Sequence, residues 1–216
     1  LGLKRENVFM CDSKGLIYEG RQEGMNEFKA RYARQTDKRT LAEAMEGADI
    51  FFGLSTGDCV TQEMVKQMAP NPLILAMANP NPEIHPDLTR EARPDAIIGT
   101  GRSDFPNQVN NVLCFPFLFR GALDCGATTI NDEMKIACAY GLVDLAQQEA
   151  SEEVALAYDG QSLKFGPEYI IPKPFDPRLF ERVPVAVVEA AMKTGVASRP
   201  IEDLDEYRRT LSKHVN

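Results

Sequence analysis

No stretch of about 18 uninterrupted apolar residues occurs in the 216-residue chain, which excludes a membrane-spanning helix. Histidine is scarce: His85 and His214 stand alone without an H-E-x-x-H spacing, so a histidine-based metal site is not expected. The five cysteines, Cys11, Cys59, Cys114, Cys125 and Cys138, are odd in number, widely spaced and form no C-x-x-C. That pattern argues against a disulfide framework or a zinc site and for reduced thiols in a cytoplasmic protein. Positive charge is in deficit, with 24 Lys and Arg against 32 Asp and Glu for a formal charge of −8, so the electropositive footprint of a nucleic-acid binder is missing. Neither G-x-G-x-x-G nor G-x-x-x-x-G-K-[ST] occurs. No Ser-His-Asp set, catalytic carboxylate pair or cluster of oxygen ligands can be assembled either. The opening residues, Leu1-Gly2-Leu3-Lys4-Arg5-Glu6-Asn7, have no initiator Met and no apolar signal core, and read as the interior of a longer sequence.

What is present is ordinary globular composition, 44% hydrophobic and 26% charged, at a length that can bury a full core. Four short apolar runs, Val8–Cys11, Ile50–Leu54, Leu73–Ala78 and Ala96–Ile98, predict strands, and their apolar continuity predicts burial on both faces of a parallel sheet. Helices are predicted between them at Met25–Arg34, after the capping box Thr40-x-x-Glu43 as far as Gly47, and at Gln62–Met68 with Thr61 as cap. Strand and helix in alternation imply right-handed βαβ crossovers and a doubly wound α/β sheet. From Asn107 the pattern turns helical. An apolar stretch spans Val109–Leu123, and a helix capped by Asn131 runs to about Ala150 with Met134, Ala137, Cys138, Leu142 and Leu145 on one apolar face. Four prolines in Gly166–Pro177 predict an extended arm, Pro184 a helix start that Gly195 closes, and Glu202–Tyr207 a last helix or the start of a linker. The predicted organisation is a mostly parallel Rossmann-like sheet over residues 1–130, incomplete at its N-terminus, followed by helices and the proline-rich arm over 131–216.

Ligands of open α/β sheets bind beyond the carboxyl ends of the strands. After the first predicted strand come Asp12, Ser13 and Lys14. A carboxylate there suits a ribose 2′-hydroxyl and the Ser and Lys a 2′-phosphate, though Asp-Ser-x-Gly is equally good turn chemistry. After the second come Ser55-Thr56-Gly57, small enough for close backbone approach. After the third comes Asn79-Pro80-Asn81-Pro82-Glu83, with a neutral amide at the tip. After the fourth come Gly99-Thr100-Gly101-Arg102-Ser103-Asp104 and then Asn110-Asn111, two amides entering an apolar helix. A nucleotide-binding glycine loop, with its strand and helix, would have to precede Leu1.

These stretches, together with Thr36-Asp37, Gln108-Val109-Asn110-Asn111-Val112 and Thr128-Thr129-Ile130-Asn131, stand in the order found in malic enzymes. Over essentially its whole length the chain resembles the nucleotide-binding C-terminal domain of the bacterial type, most specifically at A-N-P-x-P-E and G-R-S-D-x-P-N-Q-x-N-N-V. The resemblance implies oxidation of L-malate with NAD or NADP and a Mg²⁺ or Mn²⁺ ion, followed by decarboxylation to pyruvate and CO₂. It implies malate contacts from Asn79 and Asn111, with Asn110 beside them, and cofactor contacts from Asp12, Ser13, Lys14 and Ser55. It places the catalytic Tyr and Lys, the three acidic metal ligands and the glycine loop upstream of Leu1, partly in an N-terminal malic domain. No catalytic residue or metal ligand is therefore assigned here, Tyr18, Tyr32, Tyr140, Tyr158, Tyr169 and Tyr207 are not promoted to fill the gap, and the 216 residues alone are expected to be inactive. A homodimer or higher homo-oligomer is implied, with Gly166–Pro177 as a crossing segment, and the downstream end resembles the stretch that precedes a phosphotransacetylase-like domain in longer bacterial malic enzymes. The competing readings are a noncatalytic nucleotide-binding regulatory module and another Rossmann dehydrogenase, such as an amino-acid dehydrogenase.

Overall fold

The computed structural model describes residues 2–150, 154–155, 158 and 163–213; His214 lies outside them. Two compact units, Leu1–Pro106 and Asn107–Asn216, are described one at a time.

In the first unit the chain forms a hairpin of β1 (Cys11–Asp12) and β2 (Gly15–Leu16), then α1 (Glu27–Ala30) and α2 (Leu41–Met45). There follow β3 (Ile50–Gly53), α3 (Gln62–Lys66), β4 (Leu73–Ala76), α4 (Pro86–Ala92) and β5 (Ile97–Thr100). Strands β3, β4 and β5 make a parallel sheet in that order. The helices begin where local capping chemistry dictates. Thr40 and Glu43 satisfy each other's backbone N–H groups, and the Thr61 hydroxyl accepts from Met64 N–H. The core of the unit is Phe51, Val65, Ile74, Ala76 and Ile98 with the residues packed on them.

Three expectations are corrected. Within Val8–Cys11 only Cys11 is in a strand, and it pairs antiparallel with Leu16. Gly15 takes φ +99°, a left-handed conformation that costs glycine little, and the chain doubles back at once. Met25–Arg34 shortens to α1, because the backbone at Arg34 bridges to Tyr18 and accepts from Glu19 N–H at 2.9 Å. Strand β3 is buried on one face only: Phe51 is covered, whereas Ile50 and Phe52 are 57% and 60% exposed. Helix α4 is an addition, marked in retrospect by Pro86 at its start and Asp87 in its first turn.

The second unit is helical, with α5 (Phe115–Asp124), α6 (Asp132–Gln147), α7 (Arg178–Lys193) and α8 (Leu204–Ser212). The apolar stretch at Val109–Leu123 is divided: a 3-10 turn at Asn111–Leu113 precedes α5, whose first turn takes Pro116. Asn131 caps α6 by accepting from Met134 N–H at 3.0 Å. Met134, Cys138 and Leu145 are fully buried on the predicted face, with Ala137 and Leu142 at its margins. Helix α7 is the centre of the unit, packing against α5, α6 and α8. Its Leu179, Val183, Val187, Val188 and Ala191 have no exposed surface; each of the larger ones contributes about 1.5–3 kcal/mol of burial. Pro184 does not open this helix but lies inside it, because the buried face that starts at Leu179 extends the helix through the proline. Gly195 closes it as expected, at φ +72° with its N–H on the Met192 carbonyl. Gly121 permits the α5–α7 crossing, since a Cβ there would lie 2.7 Å from the Pro184 carbonyl oxygen. The stretch at Gly166–Pro177 contains no helix and is held at one end by Asn107. No helix among the described residues is long and apolar enough to cross a membrane.

Candidate functional site

The parallel register brings Gly53, Ala76 and Thr100 side by side, so the three carboxyl ends of β3, β4 and β5 line one edge of the sheet. Ser55 follows β3 and Asn79 follows β4, and both are exposed. The Asn79 side chain makes no hydrogen bond among the described residues. After β5 the buried Thr100 hydroxyl accepts from Arg102 N–H at 3.1 Å. Arg102 itself is committed to Asp104 through paired contacts of 2.9 and 2.6 Å and lies over the Phe105 ring.

One side chain organises two of these tips. Glu83 is 0% exposed, and its two carboxylate oxygens accept from Ser55 N–H at 3.0 Å and from Ala78 N–H at 3.1 Å. The backbones reinforce this arrangement, with Asp58 N–H on the Pro82 carbonyl at 3.0 Å and Val60 N–H on the Glu83 carbonyl at 2.9 Å. A Cβ on Gly53 would collide with the Glu83 carboxyl, so only glycine suits the last position of β3. Burial, with the Glu83 charge added, raises the nearby Cys59 thiol above its ordinary range. The glutamate was visible in sequence only as the end of a two-proline loop. That it turns inward and receives two N–H groups depends on the fold.

Asp12 lies at the hairpin and is a hub of charge. Its carboxylate accepts from Arg21 Nη2 at 2.7 and 3.0 Å, from Lys29 Nζ at 2.6 Å and from Lys14 N–H at 2.9 Å. Burial alone would raise its pKa, but the hydrogen bonds from Lys29 and Arg21 outweigh it and hold the carboxyl at about 2. Two cations on one carboxylate leave the local balance positive. Beside it Ser13 is exposed, and the Lys14 ammonium pairs with Glu23 at 2.9 Å. The sign of the pH effect follows: a carboxyl lowered on folding stabilises the native state above its unfolded pKa of about 3.9, and that contribution disappears as pH falls through about 2. Asp12→Asn is expected to cost on the order of 1–2 kcal/mol at neutral pH. In urea denaturation series the gap between variant and wild type should close between about pH 4 and pH 2; a gap independent of pH would contradict this account.

In the second unit Asn110 and Asn111 have different duties. Asn110 caps the 3-10 turn, its side-chain oxygen accepting from Val112 N–H at 3.0 Å. Asn111 is exposed, and its carbonyl accepts from Cys114 N–H at 3.1 Å. Among the described residues no group of three or more His, Cys, Asp or Glu side chains could hold a metal ion. Tyr207, one of the six tyrosines, donates its hydroxyl to Asp124 at 2.7 Å and ties α8 to α5.

Residues 3–159 match the family model for the malic enzyme NAD-binding domain. The chain is 62% identical to the NADP-dependent malic enzyme of Escherichia coli over 216 residues, which is all of this chain and 28% of that protein. It is 54% identical over 215 residues to the NAD-dependent malic enzyme of Rhizobium meliloti, again 28% of the relative. Among solved structures, the malic enzyme of Entamoeba histolytica superimposes with a TM-score of 0.80 at 32% identity, covering 99% of this chain and 43% of that one. The chain thus spans 28% of the length of these two curated relatives. With a family match over most of its length and a matching parallel α/β fold, the chain belongs to the malic enzyme family, in the region of its NAD-binding domain.

Proposed function

We propose that the chain is the dinucleotide-binding part of an NAD(P)-dependent malic enzyme and supplies part of the L-malate site for oxidative decarboxylation to pyruvate and CO₂. The observation that carries this reading is the alignment of the β3, β4 and β5 tips, with Ser55 and the unengaged amide of Asn79 at one edge. A nicotinamide dinucleotide, when bound, would supply the hydride acceptor for the oxidation. The chain's own residues bind and orient. The family resemblance implies a malate contact for Asn79 and, separately, for Asn111, and a neutral amide orients a carboxylate without the tight ion pair that would oppose its departure as CO₂. Ser55 stands at the nucleotide side of the sheet edge. The four hydrogen bonds that Asp12 already accepts fill its acceptor sites, and the excess of Arg21 and Lys29 over one carboxylate favours a 2′-phosphate and so NADP. Among the described residues no cluster of His, Cys, Asp or Glu side chains would hold a divalent metal.

The test uses the full-length protein. Asn79→Ala and Asn111→Ala are each expected to lower kcat/KM for malate about 100-fold, while the dissociation constant for the dinucleotide changes less than about threefold. Equal loss of both would give the asparagines a structural role and sink the assignment. The 216 residues assayed alone should show no malate-dependent reduction of NADP. The same reading includes a homo-oligomer crossed by Gly166–Pro177, a partner malic domain and a cytoplasmic setting, and sedimentation of the full-length protein tests the oligomer.

A further inference from the structure

Two sulfur atoms meet in the second unit. The thiol of Cys138, in the second turn of α6 and 1% exposed, donates to the Sγ of Cys114 across 3.3 Å. Cys114 is half-buried at the junction between the 3-10 turn and α5, and its N–H is bonded to the Asn111 carbonyl. Forming a disulfide of about 2.05 Å requires the sulfurs to approach by roughly 1.3 Å. The pair is also chemically asymmetric. The hydrogen bond from Cys138 pulls the Cys114 thiol below its ordinary value, and the same bond together with burial pushes Cys138 up. Burial raises the other three: Cys11 to about 11, with Cys59 and Cys125 also above their ordinary range. Cys114 is the only one of the five thiols biased toward the nucleophilic thiolate.

We propose that Cys114 and Cys138 form a dithiol that a hydroperoxide oxidises to an intramolecular disulfide, with Cys114 as the attacking and Cys138 as the resolving sulfur. The Cys114 thiolate attacks the terminal peroxide oxygen, the O–O bond breaks, and the alkoxide leaves and takes a proton as the alcohol. Cys114 is then a sulfenic acid. Cys138 loses its proton and attacks the Cys114 sulfur, the S–O bond breaks, and hydroxide departs to become water. Two thiols give up two electrons and two protons, and the peroxide is reduced to alcohol and water. Because Cys114 N–H is hydrogen-bonded to Asn111, the cross-link draws on the turn that presents that asparagine. This consequence for malate rests on the function proposed above.

Trypsin separates the relevant cysteines, leaving Cys114 in residues 103–120, Cys125 in 121–135 and Cys138 in 136–164. The full-length protein is treated with hydrogen peroxide, alkylated and digested without reduction. The expected product joins 103–120 to 136–164 at about 2 Da below the sum of the reduced peptides. Cys138→Ser should abolish the product and leave a Cys114 sulfenic acid that dimedone captures. Both peptides alkylated, or Cys114 oxidised to sulfinic acid without a cross-link in the wild type, would overturn the dithiol whatever the site binds. The companion readout is a malate KM raised about fivefold by oxidation and restored by dithiothreitol. A cross-link with unchanged KM would overturn the coupling to Asn111 alone.

Discussion

Glu83→Ala should lower the stability of the protein by about 2–4 kcal/mol, because it strands one buried and one part-buried backbone donor at once. Ser55 N–H and Ala78 N–H have the Glu83 oxygens as acceptors at 3.0 and 3.1 Å, and the Glu83 side chain itself has no exposed surface. Each orphaned donor costs about 1–3 kcal/mol, and the vacated volume adds to that. Glu83→Gln separates charge from shape. The amide oxygen keeps one acceptor, but the NH₂ group faces a backbone N–H, so a loss of about 2 kcal/mol is expected. Urea denaturation of both variants measures this, and losses under about 1 kcal/mol would show that the loops do not depend on the carboxylate. Gly53→Ala approaches the same point from the other side by driving a methyl group into the carboxyl. Under the proposed function both Glu83 variants are also expected to weaken malate and dinucleotide use together, since Ser55 and the Ala78–Asn79 tip share the brace.

The second large effect is expected at Asn107. Its amide donates to the Pro167 carbonyl at 2.7 Å and accepts from Ile170 N–H at 2.8 Å, and it is 4% exposed. It also has φ +53°, which Asn tolerates better than most residues. Asn107→Ala removes both bonds and adds backbone strain, for a total of about 3–4 kcal/mol. Asn107→Gly removes the bonds but not the tolerance of positive φ, and should recover about 1 kcal/mol relative to Ala. Limited proteolysis supplies the local reading: cleavage within residues 166–177 should accelerate in both variants. Unchanged cleavage would mean that the arm is held by other contacts.

The parts of the fold that the sequence predicts well are local. Thr40 with Glu43, Thr61 and Asn131 cap helices because the donors they satisfy are two or three residues away. Gly47 and Gly195 end helices for the equally local reason of positive φ. The errors share the opposite character. Val8–Cys11 is apolar enough for a strand, but a strand needs a distant partner, and a glycine turn offers Cys11 a nearer one in Leu16. Pro184 is a favourable helix start by local preference, yet the buried face of α7 begins before it. Ile50 and Phe52 belong to an apolar run, but only the neighbouring layers decide which face is covered.

The candidate site divides along the same line. By itself the sequence determined the ends of the three parallel strands, named Asn79, Asn111 and Asp12 as candidates from their residue type, and carried the family motifs. Only the tertiary structure decided that Glu83 reaches back 28 residues to Ser55 and so joins that strand tip to the one at Ala78, that Arg21 and Lys29 converge on Asp12, and that Cys114 meets Cys138. The reason is physical. Capping and turn energies act between neighbours along the chain, whereas burial, ion pairing and thiol contact act between groups that only packing brings together.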